Sequence, residues 1–110
     1  MKTMSDDRLA QLVKMLDATP DDAFCLYGLA HEYAKRGELD NAILHFDRTI
    51  RVDPDQCYAY YHKARTLDDA DRPDEARTVA RAGLDRARII GDAHAAAELQ
   101  AMLDEWDDLG

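Results

Sequence analysis

The stretch from Tyr33 to Ile43, YAKRGELDNAI, decides how the chain is read. Ahead of it, Leu26, Leu29, Ala30 and Tyr33 fall at i, i+3, i+4 and i+7, the apolar stripe of an amphipathic helix. Gly37 follows Lys35 and Arg36, as expected where a helix ends in a left-handed cap beside cations that suit its negative end. Asp40 is then predicted to accept free amide protons at the start of a second helix. That helix carries Ala42, Ile43, Phe46 and Ile50 and stops at Val52-Asp53-Pro54. The spacing describes a helix–turn–helix hairpin, and the small Ala42 lets its two helices approach closely.

Shifting the sequence by 34 residues brings the same features back. Pro20 lands on Pro54 and Asp21 on Asp55. Asp6, Asp40 and Asp74 align where second helices should begin, and Ala42 meets Ala76, Ala30 meets Ala64, and Leu16, Ile50 and Leu84 coincide. A period of this length marks stacked supersecondary units. One unit covers 23–56 and a second 57–90, while 5–20 supplies the second half of a preceding, truncated unit. The helix from Asp74 meets no proline at its end and is predicted to run to about Ile90. Gly91-Asp92 reads as a stop and a new N-cap, opening a terminal element at 92–108. Within it, Ala96, Leu99, Met102, Leu103 and Trp106 make one apolar stripe over 93–107, with Glu98, Gln100, Asp104 and Glu105 on the other side. Such a helix closes the open apolar end of a stack. Trp106 is alternatively an exposed anchor for a partner, and Asp107 and Asp108 burden the last turn because they sit at the negative end of the helix dipole.

The first unit reads Leu26-x2-Leu29-Ala30-x2-Tyr33, then Ala42-x3-Phe46, then Pro54. This resembles the tetratricopeptide repeat, whose 34-residue unit runs W-x2-L-G-x2-Y, A-x3-F, P. The second unit departs further, with Tyr60-x2-Lys63-Ala64-x2-Leu67, then Ala76-x3-Ala80, and Arg88 at the proline position. Lys63 at a usual leucine site is the weakest match. The resemblance spans about residues 5–90. It implies an all-α, right-handed solenoid of about six antiparallel helices forming one domain over 1–110. It also implies a concave face lined by the first helix of each hairpin that binds extended or helical peptides. By register that face presents Phe24, Tyr27, His31 and Lys35 from the first unit, and Tyr58, Tyr61, His62, Arg65 and Asp69 from the second. Aromatic rings with an arginine form a composition enriched at binding sites. The plainer reading is that Phe24 and Tyr58 simply cover joints between hairpins. Chaperone-binding members of the family grip a terminal carboxylate with Lys and Asn residues, but here those sites hold Tyr27, His31 and His62, so recognition of an acidic C-terminus is not expected.

Composition narrows function. The chain carries a net charge of −9 with a sequence pI near 4.7. That argues against nucleic acid and anionic membranes, which call for an excess of Lys and Arg, and favours a neutral or basic protein or peptide partner. The 18 Asp against 5 Glu, and 10 Arg against 4 Lys, resemble the surfaces of salt-loving organisms, where ionic strength screens self-repulsion. No apolar run reaches the ~18 residues of a membrane span and MKTMSDDR carries no apolar signal core, so a cytoplasmic location is expected. Cys25 and Cys57 lack CxxC spacing and read as buried free thiols. A single serine, Ser5, and the absence of a phosphate-binding glycine loop or HExxH motif leave no catalytic constellation, so no enzyme and no cofactor is expected. His31, His45, His62 and His94 lack paired zinc spacing, and no metal is expected, although His31 and His62 are predicted to approach each other across neighbouring first helices. A protein-interaction module is the leading expectation, as monomer or weak homodimer. The second is a scaffold unit that self-associates through its ends, where Leu9, Leu12 and Leu16 of the half-unit are covered on one side only and Val13 is left open.

Overall fold

A computed structural model describes residues 4–109, and the side chains of residues 7–108. Six helices follow one another: α1 (Met4–Ala18), α2 (Ala23–Lys35), α3 (Leu39–Val52), α4 (Cys57–Asp69), α5 (Pro73–Ile90) and α6 (Ala93–Leu109). Each packs on the next in sequence, and α4 also touches α6. The result is an all-α stack of antiparallel hairpins, 44 × 28 × 19 Å along its principal axes.

The small residues at the repeated positions hold the layers together. Ala30, Ala42, Ala64, Ala76 and Ala80 are all fully buried, which brings the helix backbones of each hairpin close. Gly83 takes this furthest. A Cβ there would lie 2.5 Å from Cβ of Tyr60, so α5 crosses α4 at a distance only glycine permits. Phe46, Leu26, Leu29, Leu67 and Leu99 fill the space between layers. The removal of such apolar side chains from water is the main stabilising term of the fold.

Three helix ends share one geometry. Glu38 N–H donates to Tyr33 O at 3.0 Å, Arg72 N–H to Leu67 O at 2.9 Å, and Asp92 N–H to Ala87 O at 2.8 Å. Each closure places the preceding residue in the left-handed region: Gly37 at φ 75°, Gly91 at φ 76° and Asp71 at φ 61°. Asp71 stands 34 residues after Gly37, so the second hairpin makes the same turn with a residue less suited to it.

Two expectations about helix starts need correction. Asp40 and Asp74 do not cap: α3 opens after Glu38 and α5 after Arg72, neither with a side-chain cap bond. Both aspartates lie in the first turn, where a negative charge favours the helix dipole without replacing the missing bond. Asp6 lies inside α1. The side chains that do cap are Asp22, accepting from Cys25 N–H at 3.1 Å, and Asp92, accepting from Ala95 N–H at 3.0 Å.

Lys63, the odd residue at a leucine site, lies with its side chain mostly buried and pairs with Asp47 of α3. A buried ammonium needs such a partner. Trp106 is 7% exposed and packs in the core with Leu99, Met102 and Leu103, so it closes the stack and is not a free anchor. Arg77 Nη2 donates to the Trp106 carbonyl at 3.0 Å and its Nε lies 3.9 Å from Asp107 Oδ1, which offsets the acidic last turn of α6. Cys25 and Cys57 are buried free thiols, and burial pushes both up from the usual thiol range. No helix among the described residues is long and apolar enough to cross a membrane.

Candidate functional site: an aromatic cluster across α2, α3 and α4

Successive first helices, α2 and α4, lie side by side because each is folded back on its own partner. Residues on their shared face therefore meet across the 31-residue separation of His31 and His62. Their ring centroids are 4.4 Å apart, edge to face. Tyr27 touches His31 at 4.5 Å, and Tyr27, His31 and His62 all contact the ring of Phe46 beneath them, at 6.0, 5.3 and 6.1 Å. Tyr61 extends the cluster, 5.2 Å from His62 and 6.4 Å from Tyr58. One continuous set of rings thus bridges α2, α3 and α4, anchored at its base by the fully buried Phe46.

Electrostatics keep this cluster uncharged. His62 is pushed down to about 4, first by burial and then by His31 and Arg65. Burial and Lys35 lower His31, against a smaller opposing pull from Glu32. Both imidazoles are neutral at pH 7. Tyr27 is raised by burial, so its hydroxyl stays protonated. Arg65 Nη2 donates to Tyr61 Oη at 3.1 Å, with its guanidinium 5.6 Å from the same ring. That bond fixes a positive charge at the groove's edge.

Of the nine residues read from register, Tyr27, His31, Tyr58, Tyr61, His62 and Arg65 come together in this way. Phe24, Lys35 and Asp69 stand around them and are exposed. Phe24 is 72% exposed, so it does not cover a joint between hairpins. Tyr58 is half-buried and joins the wall of the groove to α6, with its ring 6.2 Å from His94. The two imidazoles meet without a third ligand, and no group of three or more His, Cys, Asp or Glu among the described residues is placed to hold a metal.

Two contributions escaped register. The first is α6, which packs against α4 and stands beside Tyr58 through His94. The second is Glu32, whose side chain is 3% exposed. It accepts at Oε1 from Arg8 Nε at 3.1 Å and forms an ion pair with Lys35 Nζ at 3.5 Å. A glutamate one residue after a groove histidine carries no periodic signal, and Arg8 lies 24 residues away.

A stack of helix hairpins with buried alanines at the repeated positions and one face bearing a ring cluster defines a helical-repeat solenoid. Solved structures name the kind. The chain is 30% identical to a tetratricopeptide repeat domain protein from Salinibacter ruber in its crystal structure, over 81% of this chain and 99% of that one, with a TM-score of 0.73. A solution structure of such a protein from the same organism gives 31% identity over 83% and 92%, with a TM-score of 0.76. The chain belongs to the tetratricopeptide repeat family. The TPR2B domain of yeast Sti1, solved as a complex with pHsp70, shares the fold at a TM-score of 0.84, with 20% identity over 93% of this chain and 82% of that one. No protein-family profile matches the chain, and no curated protein does.

Proposed function

We propose that this chain is a non-enzymatic protein-binding module that takes a segment of another protein in the groove of Tyr27, Tyr58 and Tyr61. The reading rests on one observation above all: a connected cluster of neutral rings spans α2, α3 and α4 on one face, with Arg65 held in place by Tyr61. Affinity comes from desolvating the tyrosines, and Arg65 with the histidines sets orientation. The Sti1 domain of the same fold, solved with pHsp70, supports a protein ligand. The charge of −9 favours a neutral or basic segment and disfavours nucleic acid and anionic membranes. On this reading the module is one domain, with units at 23–56 and 57–90 between a half-unit and a closing helix, and it works in the cytoplasm.

The test is a paired recovery from lysate of the source organism. One bait is the native protein and the other a Tyr27→Ala, Tyr61→Ala, Arg65→Glu variant shown to be folded by circular dichroism. A protein retained by the first and lost by the second is then titrated against Tyr61→Ala alone, with an expected loss of about 1–3 kcal/mol. Equal recovery by both baits removes the groove from consideration.

The second reading is self-association through the open end of the stack. It is favoured by α1, whose Val13 and Met15 are 40% and 46% exposed. Sedimentation at micromolar concentration decides it, since this reading requires a dimer and the first does not.

A further inference from the structure

Glu32 is the most deeply buried charged residue among the described residues, and it is only half satisfied. Oε1 takes both Arg8 and Lys35, while Oε2 is buried with no hydrogen-bond partner. A buried carboxylate oxygen without a donor is a standing cost that a ligand can relieve. This side chain lines an open cleft of about 380 Å³ at the α1–α2 end of the groove, beside Phe24, Tyr27 and Gly28. Phe24 presents a largely exposed ring there. Gly28 leaves the floor clear: a Cβ would sit 3.3 Å from the Leu12 side chain and 3.8 Å from Nη2 of Arg8.

The charges select the ligand. A carboxylate would suit Arg8 and Lys35 but would face the bare Oε2. An ammonium would suit Oε2 but would face two cations. A neutral group that accepts on one side and donates on the other meets neither conflict, and a primary carboxamide is such a group. We propose that this cleft is a subsite for the side chain of a glutamine or asparagine in the bound segment, whose carbonyl accepts from Arg8 or Lys35 and whose NH2 donates to Glu32 Oε2. Oε2 is closed to solvent in this structure, so the carboxamide enters only as a lining side chain moves, and Lys35, with its side chain 70% exposed, has room to do so. The methylenes of the incoming side chain lie on Phe24 and Tyr27. The inference rests on the groove reading above, because it places one residue of that segment.

The experiment is a nitrogen-15 NMR titration of the whole chain with four blocked residues: N-acetyl, N-methylamide derivatives of glutamine, alanine, glutamate and lysine. The glutamine probe is expected to move the Gly28, Glu32 and Lys35 amides saturably. Its affinity should exceed that of the other three by about fivefold, the worth of one net hydrogen bond. Alanine carries the main-chain amides alone and separates them from the side chain. Glu32→Gln should erase the preference. Phe24→Ala, at an exposed site whose loss leaves the fold intact, should weaken the glutamine probe while the melting curve stays unchanged. Equal affinities, a preference for a charged probe, or no saturable shift each overturn the proposal. A partner lost by the groove variant while the glutamine probe stays silent sinks this subsite alone. A glutamine probe that binds while both baits recover the same proteins sinks the groove reading alone.

Discussion

Acid should loosen this protein through His62 before it titrates most carboxylates. In the folded chain His62 takes up its proton only at about 4, against an ordinary value of 6.5. A base whose folded value is lowered stabilises the fold fully above 6.5, where neither state is protonated. Between 6.5 and about 4 the unfolded chain binds the proton and the folded chain does not, so stability falls as pH falls. The loss is complete below about 4. At about 1.4 kcal/mol for each tenfold change in proton affinity, the gap sets an upper bound of about 3 kcal/mol. The ring is only half-buried, and solvent screening reduces the expected loss to about 1–2 kcal/mol. His31, lowered in the same direction by burial and Lys35, adds to it with the same sign. The groups around the pair are Tyr27, Glu32 and Lys35 on α2, Phe46 on α3, and Tyr61 and Arg65 on α4. The assay is urea unfolding followed at 222 nm at pH 7.5, 5.5 and 4.5, for the native chain and for His62→Gln. The native chain should lose about 1 kcal/mol more than the variant across that range. Parallel losses would refute the argument, because carboxylate titration is common to both chains.

Three further outcomes test the packing. Gly83→Ala should cost about 1–3 kcal/mol of unfolding free energy, because its Cβ meets the Tyr60 Cβ at 2.5 Å, and Tyr60 cannot rotate that atom away. A melting temperature equal to that of the native chain would contradict the close crossing of α4 and α5. Asp71→Gly should stabilise the chain by about 0.5–1 kcal/mol in urea unfolding, since relief at φ 61° outweighs the added entropy of the unfolded glycine. Arg77→Ala removes the donor to the Trp106 carbonyl and should cost about 1 kcal/mol, with faster amide exchange confined to the last turn of α6.

The hairpins were legible because their signals are local. Gly37 and Gly91 mark helix ends through a backbone conformation that few residues tolerate, and alanines at 30, 42, 64 and 76 recur with the helical period and the repeat. The helix starts were read less well: Asp40 and Asp74 have the right chemistry for capping, two positions too far into the helix. Register put Tyr27, His31, Tyr61 and His62 on one face but missed Glu32 and the approach of α6 to Tyr58. Glu32 sits beside an expected groove residue yet points into a part-buried ion pair with Arg8, 24 residues earlier.

The sequence by itself determined six helices, their 34-residue period and the face on which Tyr27, His31, Tyr61 and Arg65 lie, because periodicity and turn chemistry act over a few residues. Tertiary structure decided the rest. It brought His31 to His62, set Phe46 beneath both, buried Trp106, and left one oxygen of Glu32 without a donor. Those outcomes depend on how closely neighbouring helices approach and at what angle, which side chains from distant parts of the chain settle together by filling the same space.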